Sequence, residues 1–123
     1  MKDGEPFMSF GLMGGAMQPQ GHVQVLVNII DFGMDVQTAG DAARFNHDGG
    51  RQPTGVDEDL LGTLLLEPGV PAETAEQLRA MGHRVEVDST GAPFGGYQAI
   101  MLLPDVVYVG ATEMRKDGTV VAW

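Results

Sequence analysis

The apolar positions of the chain are densest between residues 7 and 32, where they fall into two blocks. Residues 7–13 (FMSFGLM) are largely apolar on both alternating faces, which predicts a strand central in a sheet. This block ends at the pair Gly14-Gly15. Residues 17–21 (MQPQG) follow as a polar, proline-bearing stretch that predicts a turn. The second block fits two periods. As a strand it would place Val23, Val25, Val27 and Ile29 on one face, and its β-branched content suits that. As a helix it leaves Gln24, Asn28, Asp31 and Asp35 in one narrow polar stripe on an otherwise buried cylinder. The run over residues 20–32 is too long for a typical strand, and Gly33 stands where helices commonly stop. The pattern therefore predicts a buried helix over 20–32.

Beyond it the periods are shorter. Residues 36–43 suit two short helical turns, with Asp35 as N-cap and Gly40 as a weak point. Residues 44–47 read as a strand, 48–55 as a loop, and 64–67 as a strand stopped by Pro68-Gly69. A second helix is predicted over 71–81. Pro71 suits its first position, Glu73 its first turn, and Gly82 its end, with Ala75, Leu78 and Met81 on the buried stripe. Residues 83–87 (HRVEV) alternate as a half-buried strand does. A glycine-rich loop over 89–96 leads into strands over 97–103 and 106–110, which Pro104-Asp105 joins as a hairpin. Strands and helices interleave without regular βαβ spacing, which argues for an α+β fold in one domain.

Composition narrows the function classes. Seventeen acidic against seven basic residues give a formal charge of −10, so the surface repels phosphate backbones and no basic cluster offsets that. Nucleic acid is not an expected partner. There is no cysteine, hence no disulfide framework and no thiolate zinc site. No apolar run reaches membrane-spanning length, and the opening MKDGEPF is not a signal peptide.

The run SFGLMGGAMQPQGHVQVLVNIIDFGMDVQTAGDAARF resembles the C-terminal part of the small catalytic subunit of the gamma-glutamyltransferase family. Within that family it looks most like the bacterial branch with gamma-glutamyltransferase-like proteins and amidohydrolases. Further pieces agree in order: ARFNHD, LLLEPGVPAETAEQLRAMGHRVEV, FGGYQAIML and VGATEMRKDGTVVAW. The resemblance implies the αββα sandwich of N-terminal-nucleophile hydrolases, with this chain as one part of it. It implies attack of an N-terminal threonine on a gamma-glutamyl amide, an acyl-enzyme, and no metal or organic cofactor. The implied partners are the upstream, nucleophile-bearing part of the same precursor and a small gamma-glutamyl or other amide substrate. Two alternatives stand beside this reading. One is the same fold acting on a different amide, such as a short dicarboxylic monoamide. The other is a non-catalytic acidic domain that binds a partner protein.

Candidate chemistry centres on Gly14 and Gly15. In the resembled family a glycine pair after this strand gives backbone N–H groups to the oxyanion hole, a role that the lack of a Cβ permits. An ordinary tight turn is the bland reading. The chain has Met13-Gly14-Gly15-Ala16 where many transferases of the family have Pro-Gly-Gly-Ser, a departure that fits the amidohydrolase-like branch. Gly95 and Gly96 correspond to a family glycine turn entering a central strand; they line the substrate pocket or serve the turn alone. None of Thr38, Thr54, Thr63, Thr74, Thr90, Thr112 and Thr119 lies in the family's cleavage motif, so the nucleophile is expected upstream. His22, His47 and His83 lack metal-ligand spacing, and no metal is expected. Asp41 and Arg44 suggest a structural ion pair, Asp57-Glu58-Asp59 a solvated acidic surface, and residues 115–118 a terminal turn.

Overall fold

The computed structural model describes residues 1–50 and 61–122. The acidic Asp57-Glu58-Asp59, Thr54 and most of the loop expected over 48–55 lie outside the described residues. The chain divides into two compact units, Met1–Ala42 with Gly95–Trp123, and Ala43–Phe94.

The first unit is built on a three-stranded antiparallel sheet: β1 (Met8–Met13), β5 (Gly96–Leu103) and β6 (Val107–Thr112), in the order β1-β5-β6. Leu12 lies opposite Tyr97 and Met13 opposite Gly96, while Ala99 faces Ala111 across the other ladder. The predicted hairpin is therefore present. Its connection turns through Asp105 and Val106, both at positive φ.

Helices α1 (Met17–Ile30) and α2 (Val36–Asp41) belong to the same unit, and its core joins Leu12, Met17, Val25, Val36, Ala39, Tyr97, Ala99, Met101 and Ala111. Helix α1 starts a turn before the prediction. Pro19 falls within the first turn, where its missing N–H would have no intrahelical partner anyway, so the apparent turn signals are compatible with helix. The expected buried cylinder is a stripe. Met17, Gly21 and Val25 are buried, whereas Val23 and Ile30 are 60% and 65% exposed. A helix lying on one face of a sheet covers one stripe, and hydrophobicity elsewhere on it needs a further neighbour to be buried. The chain leaves the helix at Gly33, with φ +67°, after the N–H of Met34 has bonded the Asn28 carbonyl.

Asp35 caps α2 as expected, accepting from the N–H groups of Gln37 and Thr38, each at 2.9 Å. Gly40 has a packing reason as well as a cost: a Cβ there would come within 2.4 Å of the Tyr97 ring. The segment after β6 was expected as a plain turn, but Arg115 is one of its anchors. Its guanidinium donates to the carbonyls of Gly40 and Ala42, at 2.9 and 2.8 Å, and pairs at 2.5 Å with Glu113. Gly40 lies in the last turn of α2, whose carbonyls helical geometry leaves open for such a donor, and Ala42 is its C-cap.

In the second unit β2 (Phe45–Asp48) pairs antiparallel with β3 (Thr63–Leu66), which pairs parallel with β4 (Val85–Val87). The parallel step crosses over through α3 (Ala72–Ala80), and Leu66, Ala75 and Val85 form a small core. Pro71 precedes the first helical residue rather than occupying it. Met81 is 74% exposed because the helix ends at Ala80, before the stripe comes round again. Asp41 and Arg44, expected as a pair, find other partners. Asp41 accepts from Gln37 and from the N–H of Met114, and Arg44 donates from its N–H to Glu67 and from its guanidinium to the Phe94 carbonyl. The spacing of three residues did not favour a mutual pair because Ala42, between them, already has non-helical dihedrals.

Candidate functional site

The end of β1 and the start of α1 meet at Gly14-Gly15. Gly14 has φ +137° and Gly15 φ +58°, backbone conformations that L side chains rarely adopt. The carbonyls of both residues are used: they accept from the N–H groups of Met17 and Gln18, each at 3.1 Å, and so open the helix. The two N–H groups have no acceptor among the described residues, and both glycines are exposed. Ala16, at the N-cap, offers no side-chain acceptor, and no acidic residue sits in the first turn. The turn therefore presents unpartnered donors beside the positive end of a 14-residue helix. An oxygen that gains negative charge is the ligand such a site favours.

The predicted glycines are brought together in part. A Cβ on Gly14 would lie 3.0 Å from the Cα of Gly95, so two backbones touch where side chains cannot intervene. Gly95, at φ +75°, is held as tightly: its Cβ would come within 2.4 Å of both the Met13 carbonyl and the Leu12 side chain. Gly96 opens β5 opposite Met13, and its Cβ would meet the Lys116 side chain at 2.6 Å. Gly15 is the open member, with nothing within 4 Å of a Cβ.

Sequence reasoning missed the group that seats this turn. Gly21, read as part of a turn, is inside α1, and a Cβ there would clash with Leu12 at 2.6 Å. Leu12 is thus received between Gly21 and Gly95 and is 2% exposed. Its N–H donates to His22 Nε2 at 3.0 Å, so that histidine serves the fold at this point. The available signal was a glycine within a helical pattern, which costs about 1 kcal/mol and so calls for a packing reason. His47 Nε2 lies 3.2 Å from the Leu61 carbonyl. No group of three metal-ligating side chains is found among the described residues.

Comparison with known proteins places the chain. The profile of the gamma-glutamyltranspeptidase family matches residues 1–123. Acylase ACY 1 proenzyme of Pseudomonas sp. (strain SE83) is 34% identical over 122 residues, 99% of this chain and 19% of that protein. Glutathione hydrolase proenzyme of Escherichia coli (strain K12) is 31% identical over 116 residues, 94% of this chain and 18% of that protein. Among solved structures, cephalosporin acylase from Bacillus halodurans superposes with a TM-score of 0.83 at 41% identity, covering all of this chain and 21% of that one. The chain spans about a fifth of the length of these relatives. Two of these relatives carry the word proenzyme in their names. The fold is α+β, part of the αββα sandwich of N-terminal-nucleophile hydrolases. With a family profile matched from end to end and relatives above 30% identity, the chain belongs to the gamma-glutamyltranspeptidase family.

Proposed function

We propose that this chain is the C-terminal portion of a catalytic domain that hydrolyses or transfers the gamma-glutamyl group of glutathione-type amides. The upstream part of the precursor supplies the threonine nucleophile. Its hydroxyl oxygen attacks the amide carbonyl carbon, and the hydroxyl proton passes to the threonine's own α-amino group. The carbonyl oxygen becomes an oxyanion, which the N–H groups of Gly14 and Gly15 receive. Collapse of that intermediate breaks the C–N bond and protonates the departing amine. Water or an acceptor amine then resolves the acyl-enzyme. The observation that carries the reading is the pair of adjacent, unpartnered N–H groups at the start of α1. Gly95, in backbone contact with Gly14, and Gly96 back this turn and border the acyl group of the substrate.

A second reading keeps this chemistry and changes the acyl group, since identity is 34% with the acylase proenzyme and 31% with the glutathione hydrolase proenzyme. The test uses the complete, matured protein with two chromogenic anilides, one gamma-glutamyl and one glutaryl, which differ in the α-amino group. Preference for the gamma-glutamyl compound supports the first reading and preference for the glutaryl compound the second. Turnover of neither overturns both.

A further inference from the structure

We propose that His22 is a positioning residue for the oxyanion turn, active only with a neutral imidazole; the inference rests on the functional reading above. Its Nε2 lies 3.0 Å from the N–H of Leu12, two residues before Gly14, and the N–H geometry makes the ring nitrogen the acceptor. An imidazole that accepts at Nε2 carries its one proton on Nδ1. The ring also stands edge-on to Phe10, with centroids 5.2 Å apart, so β1 holds it at two points. His22 reaches across from α1, the helix that begins directly after Gly14-Gly15. The strand entering the turn and the helix leaving it are thus joined by one side-chain bond.

Leu12 transmits the constraint. Its side chain fills the space left by the missing Cβ atoms of Gly21 and Gly95, and Gly95 is in backbone contact with Gly14. If Leu12 moves, the two glycines that flank the donors move with it, and oxyanion donors act only within a narrow range of positions. Protonation of His22 would place an N–H against the Leu12 N–H, two donors face to face, and leave a buried backbone N–H without an acceptor.

No carboxylate bonded to the ring offsets that among the described residues. Strand β1 carries no titratable residue, His22 is the only one in α1, and β5 offers Tyr97 alone. In α2, Asp41 is bonded to Gln37 and Met114, and the capping Asp35 to Gln37 and Thr38. No ion pair to His22 exists among the described residues.

The experiment uses the complete, matured protein as wild type, His22→Gln and His22→Leu. Glutamine can offer an oxygen near the position of Nε2 without titrating, and leucine offers no acceptor. Near pH 8, His22→Leu should lower kcat by about tenfold with KM changed less than about twofold, and His22→Gln should recover most of that loss. As pH is lowered from about 8, the ratio of wild-type to His22→Gln kcat should fall by about threefold or more. A constant ratio overturns the inference, as does a wild-type rate in His22→Leu. If His22→Leu does not mature, the pH comparison with His22→Gln still decides. Nitrogen NMR of the histidine-labelled protein, with His22→Gln to assign the signal, reads the ring without any turnover. A proton on His22 Nε2 at about pH 8 overturns the inference whatever the enzyme acts on. Inactivity of the wild type would instead count against the functional reading.

Discussion

At Gly14 a Cβ would press on the Cα of Gly95 at 3.0 Å, and the φ of +137° lies in a region almost reserved for glycine. Backbone strain of this kind costs about 1–3 kcal/mol before the contact is counted. Gly14→Ala should therefore impair folding or maturation of the complete protein, which its melting temperature and extent of processing will register. Gly15 differs because a Cβ there meets open space, and φ +58° is left-handed helical, at about 1–2 kcal/mol for an L-residue. Gly15→Ala should mature with only a modest drop in melting temperature. A Cβ there meets no neighbour within this chain, so a fall in kcat in a normally matured variant reports on the open side of the turn. Under the proposed role kcat falls by about 10²–10³, the effect of losing one oxyanion donor. A variant that matures and turns over at the wild-type rate would reduce the pair to a turn.

Among the elements, α2 is short enough for its cap to matter. The hydroxyl of Thr38 donates to Asp35 at 2.7 Å, the N–H groups of Thr38 and Gln37 add to it, and together they hold the Asp35 carboxyl below its ordinary value of 3.8. These bonds favour the ionised form. Their contribution to stability is full above the unfolded carboxylate range and is lost as pH falls through the lower folded value. Asp35→Ala should speed hydrogen exchange at Thr38 and Ala39 at neutral pH, and the contrast with wild type should narrow below about pH 4. Asp35→Asn keeps an acceptor at the cap, so its exchange should stay close to wild type at neutral pH. Equal exchange in Asp35→Ala and wild type at neutral pH would mean that α2 is held by packing through Val36 and Ala39 alone.

For the whole molecule, the decisive quantity is length, since residues 1–123 span about a fifth of the relatives they match. Under the proposed function, the donors at Gly14-Gly15 have no oxyanion to stabilise until the upstream part supplies its threonine. The purified 123-residue chain should not release anilide from a gamma-glutamyl substrate above a buffer blank, whereas the complete protein should. Turnover by the chain alone, surviving stringent purification, would sink the assignment of the nucleophile to the upstream part.

What could be read from the sequence was what neighbouring residues decide among themselves. The β5–β6 hairpin around Pro104-Asp105, the Asp35 cap, the glycine that ends α1 and the Gly14-Gly15 break depend on spacings of a few residues, and each appears in the structure. The family, too, was legible, because its motifs run in order along the chain. The start of α1 was misplaced because Pro19 signals a turn locally, yet its missing N–H is harmless in the first turn of a helix. The partners that give single residues their roles were hidden. His22 meets Leu12 ten residues back, Arg115 meets Gly40 at a separation of 75, and Gly14 meets Gly95 across the sheet. Such contacts exist only once strand register and helix docking have been chosen. That choice is made by burial summed over the core, which no local pattern encodes.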